Sequence, residues 1–407
     1  MRVLQVNNYS RVRGGADRYF HDLSKALTKS ADVKMFATKS IRSDSLENQN
    51  LFWRDLPREL DISGATNFDS ILYFWRKDIE KKITECIDEF LPDVIHCHIF
   101  HGQISAIVLR VAAKRGIPVV QTLHDFKMIC GVDSMIRDGS FCDDCGGKNF
   151  WPAVVHKCNR NSYLRSLHSA IDCSIRNMAI PKTWISKYIF VSEYQRRIYA
   201  KYFPTLDGEV IENFSEQPKP ISTDIINEKF LLYPTRVESG KGIDRLLSLY
   251  ETARDSGIVI PKCIVVGDGN LMDHFHKRVE VLQMQDVIVF KGRLSKPELN
   301  HYYHRCLGVL NLSSLNETFG LTVIEAFSHG KWCIVSENGA LPDLISDERL
   351  GLKLDFTKKL PHLLDSIVQF LSLSSQADKF ILKEFESKYS ENVHVDRMLN
   401  LYKNVVY

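Results

Sequence analysis

The chain of 407 residues carries 53 Lys and Arg against 50 Asp and Glu, a net charge of +3, with 44% hydrophobic and 25% charged residues. This length exceeds what one hydrophobic core usually serves, so two domains are expected. The near balance of charge argues against nucleic acid as a partner, and no run of 18 apolar residues is present to cross a membrane.

Met1-Arg-Val-Leu-Gln-Val-Asn7 begins as a strand and lacks the apolar core of a secretion signal. A cytoplasmic location is therefore expected, with the ten cysteines reduced. Val3–Val6 predicts a short buried strand. Asn7–Gly15 follows as a glycine-bearing loop, and Ala16–Thr28 has apolar residues at helical spacing. Glycines let a backbone approach a ligand, and the next helix aims its N-terminus at it. A plain tight turn explains the same residues.

Val33–Thr38 predicts a second strand, Phe68–Leu91 a long amphipathic helix, Asp93–His98 a third strand and Gln103–Arg115 the next helix. Pro118–His124 is another strand, ending in His124-Asp125. This alternation implies a parallel sheet with ligands at the strands' carboxyl ends. His98 and His124 fall at such ends.

Asp125–Cys158 breaks the alternation. It holds Cys130, Cys142, Cys145 and Cys158 in a C-x11-C-x2-C-x12-C spacing. Four thiolates with a C-x2-C pair suit a structural zinc. Four free thiols, or a redox-labile cluster, suit the spacing as well. Tyr163–Ile180 predicts a helix with a basic face. From Lys148 to Lys201 ten Lys and Arg stand against Asp172 and Glu193, a local excess of +8. Either this is a solvated basic face or it rests on anionic lipid. Tyr188–Val191 is a strand, Glu193–Tyr202 a helix and Glu209–Phe214 a short strand. Ser215–Asn227, with two prolines, is the expected linker.

A second alternating series follows. Leu231–Arg236 predicts a strand, Val237–Gly242 a glycine loop and Ile243–Arg254 a helix. Cys263–Gly267, Val287–Phe290, Gly308–Ser313 and Cys333–Val335 are strands, and helices dominate beyond Gly351. Each strand end carries groups suited to a sugar nucleotide. Arg236 and Lys241 are two cations able to clamp a diphosphate. Gly267-Asp-Gly269 and Asn338-Gly339 are amide-rich turns. Glu317 and Glu325, eight residues apart across a loop and a helix start, offer acceptors for hydroxyls. A capping acid and a surface acid would give the same pair.

In these residues the chain resembles the family-four retaining glycosyltransferases of the GT-B fold, over nearly its whole length. The resemblance rests on Gly14-Gly15-Ala16-Asp17-Arg18, Pro92–His98, Thr122-Leu-His-Asp125, Val191-Ser192 and Val210-Ile-Glu-Asn213. It continues through Arg236-x4-Lys241-Gly242, Val266-Gly-Asp-Gly269, Lys291-Gly292, the E-x7-E of Glu317 and Glu325, and Asn338-Gly339. It implies an α/β fold of two Rossmann-like domains facing across a cleft. Their expected bounds are 1–214 and 230–385, with a linker at 215–229 and a C-terminal helix, 386–407, packing back on the first domain.

The resemblance also implies roles. Glu325 would accept from the nucleotide ribose, and Arg236 and Lys241 would bind the diphosphate. Glu317, with the backbone of Phe319, Gly320 and Leu321, would hold the donor sugar. Gly267, Gly269, Asn338 and Gly339 would line the donor. Gly14 and Gly15 would close on the phosphates, and His124 would approach the donor sugar. Two positions depart from the pattern: Thr235 where a Gly is usual, and Asp17 where Glu is common.

The implied reaction moves a sugar, with retention, from a UDP- or GDP-sugar to a glycan or polyprenyl-diphosphate-linked acceptor in bacterial surface-polysaccharide assembly. The setting would be the inner face of the membrane. No D-x-D motif occurs in the sequence, so no catalytic metal or other cofactor is expected. A sugar-nucleotide epimerase of the same fold, or a lapsed enzyme serving as a subunit, are the competing readings. The first lacks this Arg/Lys plus E-x7-E set; the second conflicts with intact Arg236, Lys241, Glu317 and Glu325.

Overall fold

The structure is a computed structural model and describes residues 1–39, 48–60, 76–218, 229–373 and 378–407. The chain divides into two compact units, residues 1–212 with 395–407, and residues 213–394.

The first unit is built on a six-stranded sheet. Its strands are β1 (Arg2–Tyr9), β2 (Asp32–Thr38), β3 (Val94–Cys97), β4 (Val119–Leu123), β7 (Lys187–Phe190) and β8 (Gly208–Val210), in the order β2-β1-β3-β4-β7-β8. Every pairing is parallel. A small hairpin of β5 (Ile136–Arg137) and β6 (Ser140–Phe141) stands apart from it. β3 and β4 are buried along their whole length, as strands covered on both faces must be. Helices α1 (Gly15–Leu27), α2 (Lys77–Phe90) and α3 (Ile107–Lys114) connect the strands. Ile79, Ile83, Cys86 and Ile87 of α2 join Leu4, Val6, Ile95 and Val108 in one core. The first turns of the helix expected over Phe68–Leu91 lie outside the described residues, as does most of the expected linker.

The second unit repeats the plan. β9 (Phe230–Pro234), β10 (Lys262–Val266), β11 (Ile288–Phe290), β12 (Gly308–Asn311), β13 (Cys333–Ser336) and β14 (Gly351–Leu354) form a parallel sheet in the order β11-β10-β9-β12-β13-β14. The last helix, Glu391–Val406, carries the chain back, since Val395–Tyr407 belongs to the first unit. There Tyr402 is fully buried, and its hydroxyl meets Gln5 at 3.2 Å and His96 at 2.6 Å.

Between β6 and β7 stand two helices, α4 (Trp151–Val155) and α5 (Tyr163–Ala179). Phe150 and Val154 pack on Ala170 and Cys173, with Cys145 alongside. Ser162 caps α5 by accepting from Arg165 N. The expected basic face of this helix needs correction. Arg176 is turned inward, where Nη2 donates to the Lys127 carbonyl at 2.5 Å. Asn177 donates to the carbonyls of Met128 and Gly147, both at 2.9 Å. The buried face of α5 is thus Ser166, Ser169, Ala170, Cys173 and Arg176, while Leu164, Leu167, Ile171, Ile175 and Met178 are exposed. Further along, Lys187 pairs with Asp207, Lys201 with Asp143 and Arg196 with Glu193. The local excess of positive charge is therefore not one continuous basic surface.

In the second unit the turn after β10 depends on Gly267, whose φ is +142°. A Cβ there would stand 1.8 Å from the Thr235 carbonyl oxygen. Gly267→Ala is accordingly expected to cost about 2 kcal/mol or more, because backbone must move to admit the methyl. An earlier urea midpoint checks this; an unchanged midpoint would mean that the turn relaxes freely.

Candidate active site

In the second sheet β9 lies between β10 and β12. The connections leaving β9 and β12 therefore diverge, and a doubly wound sheet opens a crevice at that point, beyond the strands' carboxyl ends. The loop after β9 carries Arg236 and Lys241. The loop after β12 carries Glu317 and runs into helix α10 (Leu321–Ser328), which carries Glu325. (Between them lie α7, Ile243–Asp255, α8, Met272–Val281, and α9, Lys296–Arg305.)

The two loops are tied together by the expected residues. Lys241 Nζ lies 2.8 Å from Glu317 Oε1, with side chains only 18% and 23% exposed. Ser313 Oγ donates to the same oxygen at 2.8 Å. Arg236 is exposed and pairs with Glu238 at 2.9 Å. So each cation holds a carboxylate of its own, and an arriving phosphate would compete with both acids.

Three turns close around this pair. Gly339, at φ +63°, packs so tightly that a Cβ would meet Glu317 O at 2.3 Å, and Ala340 N donates to that carbonyl at 2.8 Å. Asn338 Oδ1 accepts from Arg245 Nη1 at 2.9 Å. Gly267 and Gly269 press on the backbone of Thr235 and Val237, so loop packing by itself requires these glycines. Gly320 caps α10 at φ +142°, and no side chain caps that N-terminus. Phe319 is buried in a T-shaped ring contact with Tyr389, so backbone is what it offers at the helix start. First-turn N–H groups and the helix dipole suit an anion there.

Glu325 is half-buried one helical turn farther in. Its Oε2 accepts from the Tyr303 hydroxyl at 2.8 Å, and Tyr303 stacks on His329 with ring centroids 4.9 Å apart. Burial, followed by the Glu325 charge, raises the Tyr303 pKa well above the phenol range, so the hydroxyl stays a donor. Tyr303 and Arg245 were not found by sequence reasoning. Arg245 donates to the Leu312 and Ser313 carbonyls and lies 4.4 Å from the centre of the Phe356 ring. Neither has a local signal: each meets its partner only through the fold.

His124, Gly14 and Gly15 belong to the first unit. Gly14 is extended, at φ −164°, and precedes α1 with nothing near its Cβ position. No conformational need for glycine acts there; what it leaves is space. His124 joins a stack of imidazoles. His98 lies 4.4 Å from His96 and 5.4 Å from His124 between ring centroids. His98 Nε2 donates to Gln5 Oε1 at 2.6 Å, so its Nδ1 is the acceptor for His124 Nε2 at 3.1 Å. That leaves His124 Nδ1 unprotonated.

Cys130, Cys142, Cys145 and Cys158 are all unpaired by disulfides and line one cavity of ≈ 20 Å³. Backbone N–H groups of Val132 and Met135 face Cys130, and those of Gly131 and Ala153 face Cys145. Yet among the described residues no three His, Cys, Asp or Glu side chains are arranged to hold a metal ion. The thiols share a cavity without forming a ligand set.

Residues 13–214 match the model of the family described as "Glycosyltransferase Family 4", and residues 217–384 match "Glycosyl transferases group 1". An uncharacterised glycosyltransferase of Methanocaldococcus jannaschii is 24% identical over 312 residues, 73% of each chain. The apo lipopolysaccharide outer core galactosyltransferase WaaB superposes with a TM-score of 0.63 at 15% identity, covering 98% of both chains. HepE of Anabaena, solved with UDP-glucose, gives a TM-score of 0.65 at 14% identity over 99% of this chain and 100% of its own.

The imidazole stack sets an acid limit on stability. Burial, then the neighbouring His96 and His124, depresses the His98 pKa well below the imidazole range, and burial lowers His124 to about 3. In the unfolded chain both protonate near pH ~6.5. Between roughly pH 6.5 and 3 the unfolded state binds more protons, so stability present above that range is lost as pH falls, by at most about 1.4 kcal/mol per pH unit per histidine. Urea unfolding at a series of pH values should show this slope, and His124→Gln should flatten it.

Proposed function

We propose, for a chain that belongs to glycosyltransferase family 4 and has the two-unit fold of the GT-B enzymes, that it moves a sugar with retention from a UDP- or GDP-sugar to a glycan or polyprenyl-diphosphate-linked acceptor. The setting we infer is cell-surface polysaccharide assembly at the inner face of the membrane. The observation that carries the reading is the Lys241–Glu317 pair, which joins the loops after β9 and β12 at the switch point of the second sheet. WaaB and HepE, whose names record a galactosyltransferase and a UDP-glucose complex, support the donor class.

The chemistry follows from the charges. As the bond from the anomeric carbon to the leaving phosphate breaks, negative charge grows on the diphosphate. Arg236, Lys241 and the N-terminus of α10 would stabilise it. Glu317, released from Lys241 by the phosphate, accepts from sugar hydroxyls. Glu325, held by Tyr303, accepts from the ribose. Asn338 and the Gly267, Gly269 and Gly339 turns keep the loops at their spacing. His124, neutral at working pH, is the first-unit residue that the family resemblance assigns to the donor sugar. The acceptor oxygen bonds to the anomeric carbon on the face the phosphate leaves, and its proton passes to the departing phosphate oxygen. This front-face route needs no carboxylate nucleophile and draws on no catalytic metal, in keeping with a sequence that holds no D-x-D motif.

A structural zinc at Cys130, Cys142, Cys145 and Cys158 is a separate proposal, supported by the cavity they share; the thiols, which form no ligand set as they stand, would have to converge on the metal. About one equivalent of zinc in the purified protein, lost on Cys142→Ser, supports it; less than about a tenth of an equivalent overturns it.

A panel of sugar nucleotides screened by thermal shift tests the main reading. The true donor stabilises by RT ln(1 + [L]/Kd), about 2.7 kcal/mol at a hundredfold excess over Kd. Glu325→Ala should weaken every donor about tenfold or more, as loss of a charged hydrogen bond does. Lys241→Ala should lower kcat by about two orders of magnitude. No stabilisation by any nucleotide, or an unchanged Glu325→Ala affinity, would sink the assignment.

A further inference from the structure

We propose that the outward face of α4 and α5 is a docking surface that inserts apolar side chains into the interfacial layer of an anionic lipid bilayer. It deepens the reading above, and rests on it only in giving a membrane-held acceptor a reason to be near.

α5 is amphipathic with its sides reversed. A helix of a water-soluble domain normally buries its large apolar residues. Here the buried face is small and polar, and it is held by specific bonds: Arg176 and Asn177 to carbonyls of the 127–147 loop, and Cys173 near the carbonyls of Lys127 and Gly131. The outer stripe is Leu164, Leu167, Ile171, Ile175 and Met178, at steps of three and four, and Met178 is 86% exposed. Trp151 of α4, 60% exposed, extends it, and an open trough of ≈ 610 Å³ runs from Trp151 past Leu167 to Ile175 and Met178. A contiguous apolar face of this kind marks an interaction surface.

Charge chooses the occupant. From Lys148 to Ile171 the sequence has no Asp or Glu, while Lys148, Lys157, Arg160 and Arg165 stand there. The next acid, Asp172, is turned toward Arg176 at 3.7 Å. Lys157 lies 4.5 Å from the centre of the exposed Tyr163 ring, with its ammonium beside an aromatic edge of the stripe. Apolar side chains with a basic rim and aromatic flanks are what a helix lying in the headgroup layer presents. A second copy meeting this face about a two-fold axis would set like charges against each other. No helix of the described residues is long and apolar enough to cross a membrane, so the contact is peripheral.

The test uses the full chain and vesicles of phosphatidylcholine with or without an equal part of phosphatidylglycerol. Binding should be at least about tenfold tighter to the anionic vesicles and weaken severalfold when salt rises from about 0.1 to 0.5 M. Leu167→Ser/Ile171→Ser/Met178→Ser should lose about tenfold or more at low salt while keeping its melting temperature. Lys148→Glu/Arg160→Glu should lose the preference for anionic lipid. Brominated lipids should quench the wild-type fluorescence, and Trp151→Phe should remove that quenching. Equal binding to both vesicles, no binding, or full binding by the triple Ser variant would overturn the proposal. So would a lipid-free dimer that the same variant makes monomeric. Nucleotide-induced stabilisation, read on the same proteins, reports the donor site separately, so the two readings fail independently.

Discussion

Strand order is the constraint from which the site follows. Because β9 is flanked by β10 on one side and β12 on the other, the chain must leave the middle of the sheet in two directions. The two loops that part there bear Arg236, Lys241 and Glu317, and the helix that follows the second bears Glu325. None of these residues needs an unusual backbone to reach the crevice. The unusual backbone lies behind them, where Gly267 and Gly339 let neighbouring turns touch. The glycines therefore let the loops that carry the charged side chains pack closely.

On the proposed reading, the carboxylates of these loops would act as placeholders. Lys241 is paired with Glu317 and Arg236 with Glu238, so each cation has its charge balanced by a neighbouring acid. A diphosphate that displaces both acids gains two charged contacts and gives up two. On that reading, net ground-state binding would thereby be moderated, while charge growing on the leaving phosphate would meet cations held at the site, which would favour the transition state over the bound donor. The same proposed exchange would free Glu317 from Lys241 to accept from the sugar. Glu325 undergoes no such exchange, because Tyr303 is a neutral donor whose hydroxyl stays protonated.

Much of this was legible because it is local. Both parallel sheets are buried strands read as apolar runs, and the E-x7-E pair with its upstream cations sits within single loops and one helix. Tyr303 and Arg245 were not legible, because they act on residues 22 and 93 positions away. α5 shows a different limit. Its apolar spacing is plain in the sequence, but periodicity gives a stripe without saying which side is inside. The answer came from Arg176 and Asn177, whose carbonyl partners lie in the irregular cysteine-bearing loop that no pattern describes.

The first unit shows how far such long-range dependence reaches. The Tyr402 hydroxyl, on the last helix, accepts from Gln5 Nε2 and meets His96 Nδ1. With Gln5 Nε2 thus engaged, its Oε1 is the atom turned to His98, which makes His98 Nε2 the donor and Nδ1 the acceptor. That choice in turn fixes His124 as a donor through Nε2 and an acceptor through Nδ1. Three histidines stacked at one sheet edge, His96 and His98 buried and His124 half-buried, could not all be charged, and desolvation keeps His98 and His124 neutral. Their chemistry is therefore a matter of tautomer, not of titration. The tautomer is set by a tyrosine 397 residues from Gln5 in sequence, so the returning C-terminal helix contributes directly to which nitrogen His124 offers.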